Sequence, residues 1–169
     1  TNNNIQAGVA AAERVFEMMD TPTEVPDPPD GLGLAPGNHS VALKNVGFRY
    51  GDEWVLRNVN LEIGAGQVVA LVGMSGGGKS TIADLIPRFY DVQEGAVTVD
   101  EVDVRRYRLA ALRAQIGLVT QHTFLFNDSV RANIAYGSME KSLDEIIAAA
   151  RLANAHDFVE RLPQGYDTI

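Results

Sequence analysis

A run of residues near the middle of the chain has the composition of a phosphate-binding loop. It fits the pattern G-x-x-x-x-G-K-[ST] and reads Gly73-Met74-Ser75-Gly76-Gly77-Gly78-Lys79-Ser80, followed by Thr81. Glycines let backbone N–H groups approach an anion closely, and the N-terminus of a following helix adds partial positive charge. In such a loop the lysine reaches the β- and γ-phosphates, and the Ser80 hydroxyl completes a Mg²⁺ shell. The pattern therefore predicts a nucleotide site, and a glycine-rich turn without a ligand is the alternative.

The residues on either side indicate a strand before the loop and a helix after it. The segment 68–72 is apolar and rich in valine, which is typical of a buried parallel strand. Apolar residues at helical spacing follow the loop, at Ile82, Leu85, Ile86 and Phe89. A loop that joins a strand to a helix is the context that the phosphate-binding pattern requires.

Composition limits the classes of partner and of site. The chain has 14 basic and 22 acidic residues and a net charge of −8, which disfavours nucleic acid or an anionic membrane surface as a general partner. It has no cysteine, so disulfides and thiolate metal sites are excluded. His39, His122 and His156 show no ligand spacing, and we interpret them as surface or structural residues. No run is long and apolar enough for a membrane span, so we expect the chain itself to be soluble.

Composition also divides the chain into a helix, a linker and one domain. Residues 1–20 are predicted to be mostly helical, because apolar side chains recur at three- and four-residue intervals. Residues 21–40 contain five prolines and three glycines, which is linker composition. A domain is predicted from 41 to 169. Its expected strands are 41–50, 55–63, 67–72, 96–99 and 116–120, and its expected helices are 81–90, 109–114, 142–152 and 154–162.

Further motifs surround the loop at fixed spacing. Phe48-Arg49-Tyr50 ends 23 residues before Gly73, Arg88-Phe89-Tyr90-Asp91 closes the loop helix, and Leu125-Phe126-Asn127-Asp128-Ser129 follows the last predicted strand. Together they resemble the nucleotide-binding domain of ABC transporters of the exporter type, and within that type bacterial lipid A flippases and multidrug exporters. The resemblance implies an α/β fold: a P-loop NTPase with an incomplete RecA-like core, an antiparallel β subdomain and the start of a helical subdomain.

The resemblance also implies roles for individual residues. Tyr50 stands where the family's aromatic ring stacks on adenine, and Gln121 stands where a glutamine contacts Mg²⁺ and the attacking water. A core tyrosine at a strand end and an ordinary polar residue are the alternatives at these two positions. Lys79 and Gln121 are the implied catalytic residues, and Ser80 and Gln121 the implied Mg²⁺ ligands. The implied ATP contacts are Tyr50, Val55, Gly73, Ser75, Gly76, Gly77, Gly78, Lys79, Ser80 and Thr81.

The same resemblance implies partners. Phe124, Leu125 and Phe126 are similar to the surface beneath a coupling helix of a transmembrane domain, with packing inside the domain as the alternative for one or two of them. The other implied partner is a second ATPase domain, and no nucleic acid is implied. Residues 1–40 would be the end of a last transmembrane helix and its connection to the ATPase domain. The parent protein would then lie at the cytoplasmic face of the inner membrane.

Several catalytic elements of the family are expected beyond residue 169. These are the signature motif, the Walker B aspartate with its glutamate, and the switch histidine. We therefore expect this chain alone to bind ATP weakly at most and not to hydrolyse it, and we expect exposed apolar strand edges.

The segment 97–101 imitates a Walker B strand, because apolar residues precede Asp100 and Glu101. It follows Lys79 too closely for that role, so we interpret it as a short strand that ends in a turn. Glu101 stands where the family usually has glycine. Glu101→Gln is therefore predicted to leave nucleotide binding unchanged.

Other functions fit a phosphate-binding loop less well. A GTPase would need an Asn-Lys-x-Asp motif to read the base, and the sequence contains none. A nucleotide kinase would need an arginine-rich lid, and the arginines between 105 and 113 lie too close to the loop helix. A truncated, non-catalytic interaction module built from an ATPase domain is the remaining alternative.

Overall fold

The computed structural model describes residues 2–20, 25–120 and 123–169. Residues 1–117 and 118–169 form two compact units, and each is described by itself. Residues 21–24 of the predicted linker, together with Gln121 and His122, lie outside the described residues. Within the described ranges, no helix has both the length and the apolar character that a membrane crossing requires.

An antiparallel sheet of four strands is the centre of the first unit. Its strands are β1 (Val41–Tyr50), β2 (Glu53–Ile63), β3 (Glu94–Val99) and β4 (Val102–Asp103), in the spatial order β2-β1-β3-β4. β1 pairs with β2 from Val41↔Ile63 to Tyr50↔Glu53, so the two strands form a tight hairpin. The predicted antiparallel β subdomain is thus confirmed, and β1 has the bounds expected from the sequence.

The pairing of β1 with β3 is interrupted by an irregularity. The register shifts between Lys44 and Gly47, and Asn45 has a φ of +50°. Gly95 lies beside this shift with a φ of +72°, and a Cβ atom there would collide with the carbonyl oxygens of Lys44 and Asn45. A bulge in one strand therefore requires glycine in its neighbour.

One apolar core lies against this sheet. The helices of the first unit are α1 (Asn2–Met19), α2 (Lys79–Leu85) and α3 (Leu109–Arg113), with a 3₁₀ turn at Val104–Arg106. Buried side chains from the strands, α2, the 3₁₀ turn and α3 meet in this core. They are Leu43, Val46, Phe48, Leu56, Leu85, Val97, Val99, Val104, Tyr107 and Leu112. The loop helix is therefore anchored to the sheet through its last residue.

Part of the proline-rich stretch is docked on the first unit. Val25 is buried, and the Asp27 carboxylate accepts the Leu109 N–H at 2.8 Å. The Leu32 N–H donates to the Arg106 carbonyl at 2.8 Å, and the Leu32 carbonyl accepts the Arg108 N–H at 2.9 Å. These bonds tie residues 25–32 to the start of α3.

Two of the predicted strands are not formed in this chain. Residues 67–72 and 116–120 lie outside any strand, and Val68 and Val72 are 100% and 93% exposed. Leu118 and Val119 are also exposed. A strand needs a neighbour for its N–H and C=O groups, and the only sheet of the described residues does not include these segments. The prediction of a buried strand before the loop is therefore wrong for the chain as it stands.

The second unit is helical. It contains α4 (Val130–Ile134), α5 (Leu143–Leu152), α6 (His156–Val159) and a 3₁₀ turn at Gly165–Asp167. Ser142 and Glu145 form a capping box that starts α5, in agreement with the helix predicted at 142–152. The helix predicted at 154–162 is shortened to α6. In the first unit the helix expected at 81–90 ends at Leu85, and Arg88 has a left-handed φ of +54°.

Candidate functional site

The phosphate-binding loop is an exposed turn that leads directly into α2. Residues 73–77 are exposed, and Gly76 and Gly78 both have a φ of +80°, a conformation that favours glycine. Gly78 is the N-cap of α2, and its carbonyl accepts the first helical bond from Ile82 at 2.9 Å. The N–H groups of the first turn have no side-chain cap. They are the kind of donors that bind anions at helix N-termini.

Lys79 is turned back onto its own loop. Its Nζ donates to the carbonyl of Gly73 at 2.9 Å and to that of Met74 at 2.5 Å. The Gly77 N–H also donates to the Met74 carbonyl, at 3.2 Å. The ammonium group is therefore held at the loop by two carbonyl acceptors that phosphate oxygens could replace.

The β1–β2 hairpin lies against the end of the loop. A Cβ atom on Gly78 would lie 2.5 Å from Leu56 Cδ2 and 3.6 Å from Val55 Cγ1. This places Val55, a predicted ATP contact, beside the loop. Leu56 is a second neighbour that the sequence did not reveal, because its apolar character indicates only a core position.

Ser80 and Thr81 differ in their accessibility. Ser80 is exposed in the first turn of α2, whereas Thr81 is buried with 7% of its surface exposed. A serine hydroxyl is an oxygen ligand of the kind Mg²⁺ prefers, so Ser80 fits a metal-ligand role. The described residues contain no group of three or more His, Cys, Asp or Glu side chains that could hold a metal without a nucleotide. Gln121, the other predicted ligand, lies outside the described residues.

Tyr50 ends β1 at the rim of a cavity of about 290 Å³. The residue is 43% exposed, so it is not a core tyrosine. Arg49, Tyr90 and Gln93 also line this cavity, and no residue of the phosphate loop does. On the paired strand, Trp54 contacts the guanidinium groups of Arg49 and Arg57, each 5.3 Å from the ring centroid. The chain's single tryptophan is therefore close in sequence and in the sheet to Tyr50.

The segment that imitates a Walker B strand forms the end of β3 and a turn. Asp100 and Glu101 both have positive φ, +48° and +67°, between β3 and β4. The Asp100 carboxylate contacts His39 Nδ1 at 2.7 Å and accepts the Ser40 N–H at 2.8 Å. The hydrogen bond from His39, followed by that from the Ser40 N–H, holds the pKa of Asp100 below its usual range. This carboxylate therefore joins the turn after β3 to the residues that precede β1, and His39 has a structural role there.

The aromatic run of the second unit is exposed. Phe124, Leu125 and Phe126 are 77%, 71% and 42% exposed. Phe126 stacks on Tyr136 with a centroid distance of 4.3 Å, and Asn133 bonds both the N–H and the carbonyl of Phe126. Tyr136 is part of this surface and was not expected from the sequence, because its stacking depends on how α4 is placed. The other described histidine, His156, contacts the Tyr166 hydroxyl at 2.9 Å.

Comparison with known proteins agrees with the geometry. The family model for ABC transporters matches residues 56–167. An ATP-dependent lipid A-core flippase from Syntrophus aciditrophicus is 54% identical over 168 residues, which cover 99% of this chain and 28% of that protein. A putative multidrug export ATP-binding/permease protein from Bacillus subtilis, YgaD, is 45% identical over 170 residues, with 99% and 29% covered.

A solved structure is similar over the same range. It is a bacterial Atm1-family ABC exporter with ATP bound, with a TM-score of 0.86 and 43% identity. The match covers 99% of this chain and 30% of that one. The chain therefore spans less than a third of the length of these relatives. The family match over more than half of its residues, together with the phosphate loop and the antiparallel sheet, shows that the chain belongs to the ABC transporter family.

Proposed function

We propose that this chain is the ATP-binding portion of an ABC exporter ATPase domain. The observation that supports this function best is the loop at 73–80, with its lysine held at the loop and its glycines in left-handed conformation. The relatives named above are a lipid A-core flippase, a putative multidrug export protein and an Atm1-family ABC exporter that has ATP bound. Family membership favours this function over a GTPase, a nucleotide kinase or a non-catalytic module.

The phosphates would bind at the start of α2. Lys79 Nζ would exchange its two carbonyl acceptors for oxygens of the β- and γ-phosphates. The backbone N–H groups of the first turn would donate to the same anion, and the adenine would stack on the exposed ring of Tyr50. Val55 would contact the nucleotide from the hairpin side, as its position beside Gly78 allows.

The metal would lie on the Ser80 side of the loop, with Gln121 as its second protein ligand. Bound Mg²⁺ supplies charge neutralisation for phosphoryl transfer. Lys79 and the loop amides add to this stabilisation, and Gln121 would orient the attacking water.

In the whole protein, the exposed segment 68–72 and the segment 116–120, in which Leu118 and Val119 are exposed, would be strands of a RecA-like parallel core. Their exposure in this chain supports this, since parallel strands are covered on both sides in α/β proteins. Phe124, Leu125 and Phe126 would contact coupling helices of a transmembrane domain, and residues 1–40 would connect to it. A second ATPase domain would complete the ATP site, and a lipid or drug-like compound would be exported from the cytoplasmic face of a membrane.

A titration with Mg²⁺-ATP tests the nucleotide site. We expect a saturable change in Trp54 fluorescence, because Trp54 packs beside the strand that ends in Tyr50. Lys79→Ala should abolish the change, and Mg²⁺-GTP should produce a similar one because stacking distinguishes bases weakly. Equilibrium dialysis with labelled ATP provides a readout that does not depend on the tryptophan. No binding at millimolar ATP in either assay would contradict the proposal that this chain binds ATP on its own.

A further inference from the structure

The ring of Tyr50 is held in place by two other aromatic rings. Phe48 lies 4.8 Å from it and Tyr90 lies 5.2 Å from it, between centroids, each at an interplanar angle of 89°. Phe48 is buried in the core, and Phe48 and Tyr90 are 5.6 Å apart. Edge-to-face contacts of this kind are favourable and directional, so they fix the plane of the exposed ring.

Tyr90 lies in a short segment that is held by an ion pair and by hydrogen bonds to α3. The Arg88 guanidinium forms two hydrogen bonds with the Asp91 carboxylate, at 2.7 and 2.9 Å. Arg113 of α3 donates to the carbonyls of Pro87 and Arg88, at 3.0 and 2.8 Å. Tyr90 therefore lies within the turn that the Arg88–Asp91 ion pair closes, and the two residues bonded to α3 come just before it.

The far end of the same segment is bonded to β1. The Gln93 N–H donates to the Gly47 carbonyl at 3.2 Å, and Gln93 Oε1 accepts the Arg49 N–H at 2.9 Å. These bonds join the segment to the residue that precedes Tyr50. The contact between Tyr90 and Tyr50 is thus supported by backbone bonds as well as by the two rings.

The arginine of the ion pair around Tyr90 is buried, whereas Asp91 is partly exposed. Arg88 is only 4% exposed, and its Nη1 has no hydrogen-bond partner among the described residues. A buried arginine with an unused donor gains little stability, because desolvation offsets the Coulomb attraction. A geometric role explains such a pair better than a stabilising one.

We propose that Tyr90 is a positioning residue that sets the plane of Tyr50 for stacking with a nucleotide base. The inference rests on the proposed function of the site. The segment 86–93 begins where α2 ends and reaches β1, and α2 begins with Lys79. One continuous stretch therefore links the group that would bind the phosphates to the ring that would bind the base. Loss of Tyr90 should weaken recognition of the base and leave recognition of the phosphates intact.

Affinities for two probes separate these effects. Dissociation constants for Mg²⁺-ATP and for Mg²⁺-tripolyphosphate, which has no base, are measured by calorimetry on the unaltered chain, Tyr90→Ala and Tyr90→Phe. We expect Tyr90→Ala to weaken ATP binding roughly three- to tenfold and to leave tripolyphosphate binding within about twofold. Tyr90→Phe keeps the ring and should restore ATP affinity to within about twofold.

A second variant covers the case in which Tyr90→Ala does not fold. Asp91→Asn keeps all three rings and removes the ionic partner of Arg88, so it should weaken ATP binding selectively but less. Equal weakening of both probes would indicate general damage to the domain and would overturn the inference, as would unchanged ATP affinity in Tyr90→Ala. If the unaltered chain bound neither probe, the proposed function would fail and the inference with it. If the unaltered chain bound both probes, the proposed function would stand, and the affinities of the variants would decide the inference about Tyr90.

Discussion

β3 and the segment 67–72 are both short and rich in valine, yet only β3 lies in the sheet. Val97 and Val99 of β3 are 2% and 3% exposed, whereas Val68 and Val72 are almost fully exposed. β3 pairs with β1 from Val41↔Val99 to Gly47↔Glu94, and no strand is paired with residues 67–72. Composition therefore sets the tendency to form a strand, and the neighbour decides whether the strand forms.

Hydrogen exchange should give the largest contrast between the two regions. Amide protons of β1 that bond to β2 or β3 are expected to exchange more slowly than those of residues 68–72 by orders of magnitude, because exchange of the former requires opening of the sheet. Exchange followed by mass spectrometry with peptide-level resolution measures this. Comparable protection of residues 68–72 would show that this segment finds a partner in solution.

Removing the same two methyl groups in each region compares their energetic weight. Val97→Ala should lower the free energy of unfolding by about 2 kcal/mol, because it removes buried apolar surface and leaves a cavity. Val72→Ala should change it by less than about 0.5 kcal/mol, since the side chain is 93% exposed. Urea denaturation followed by circular dichroism measures both. A similar loss in the two variants would remove the distinction between the regions.

The turn that ends β3 offers a gain in stability. Glu101 has a φ of +67°, a conformation that costs a residue with a side chain about 1–2 kcal/mol, and glycine adopts it freely. After the greater flexibility of glycine in the unfolded chain is subtracted, Glu101→Gly should stabilise the unit by about 0.5–1 kcal/mol. Glu101→Gln keeps the strained backbone and serves as the matched control. A melting temperature of Glu101→Gly at or below that of the control would contradict this explanation.

The smallest expected effect concerns the carboxylate beside that turn. The pKa of Asp100 is lowered by His39 and Ser40, so its ionised form favours the folded state. That contribution is present above the pKa of the unfolded chain and is lost as pH falls through the lowered folded pKa. The difference in melting temperature between the unaltered chain and Asp100→Asn should therefore shrink between about pH 5 and pH 3. A constant difference over this range would show that the charge of Asp100 is not the cause.

Local signals in the sequence were sufficient for some of these features. The strand at 41–50 and the capped helix after Ser142 are specified by residues within or next to each element. The phosphate loop is equally local, because glycines, lysine and serine must follow one another at fixed spacing. These parts of the fold and of the candidate site could be predicted without knowledge of distant residues.

Other features depend on contacts that the sequence does not display. The approach of Leu56 to Gly78 and the contact of Tyr90 with Tyr50 join residues that are 22 and 40 positions apart. The burial of residues 67–72 was predicted from their apolar character, but a parallel strand is stabilised by neighbours on both sides. Patterns within a segment do not report whether such neighbours are present.

The irregularity in β1 has a consequence for how this sheet could change during evolution. Gly95 is required because its φ is +72° and because the carbonyl oxygens of Lys44 and Asn45 occupy the space of a side chain. A library of substitutions at position 95 should yield functional clones with glycine alone while the bulge is kept. A deletion that removed the bulge would relieve this restriction. The bulge at Lys44 and Asn45 and the glycine at position 95 are about fifty residues apart in the sequence. We therefore expect substitutions at these two sites to be accepted together or not at all.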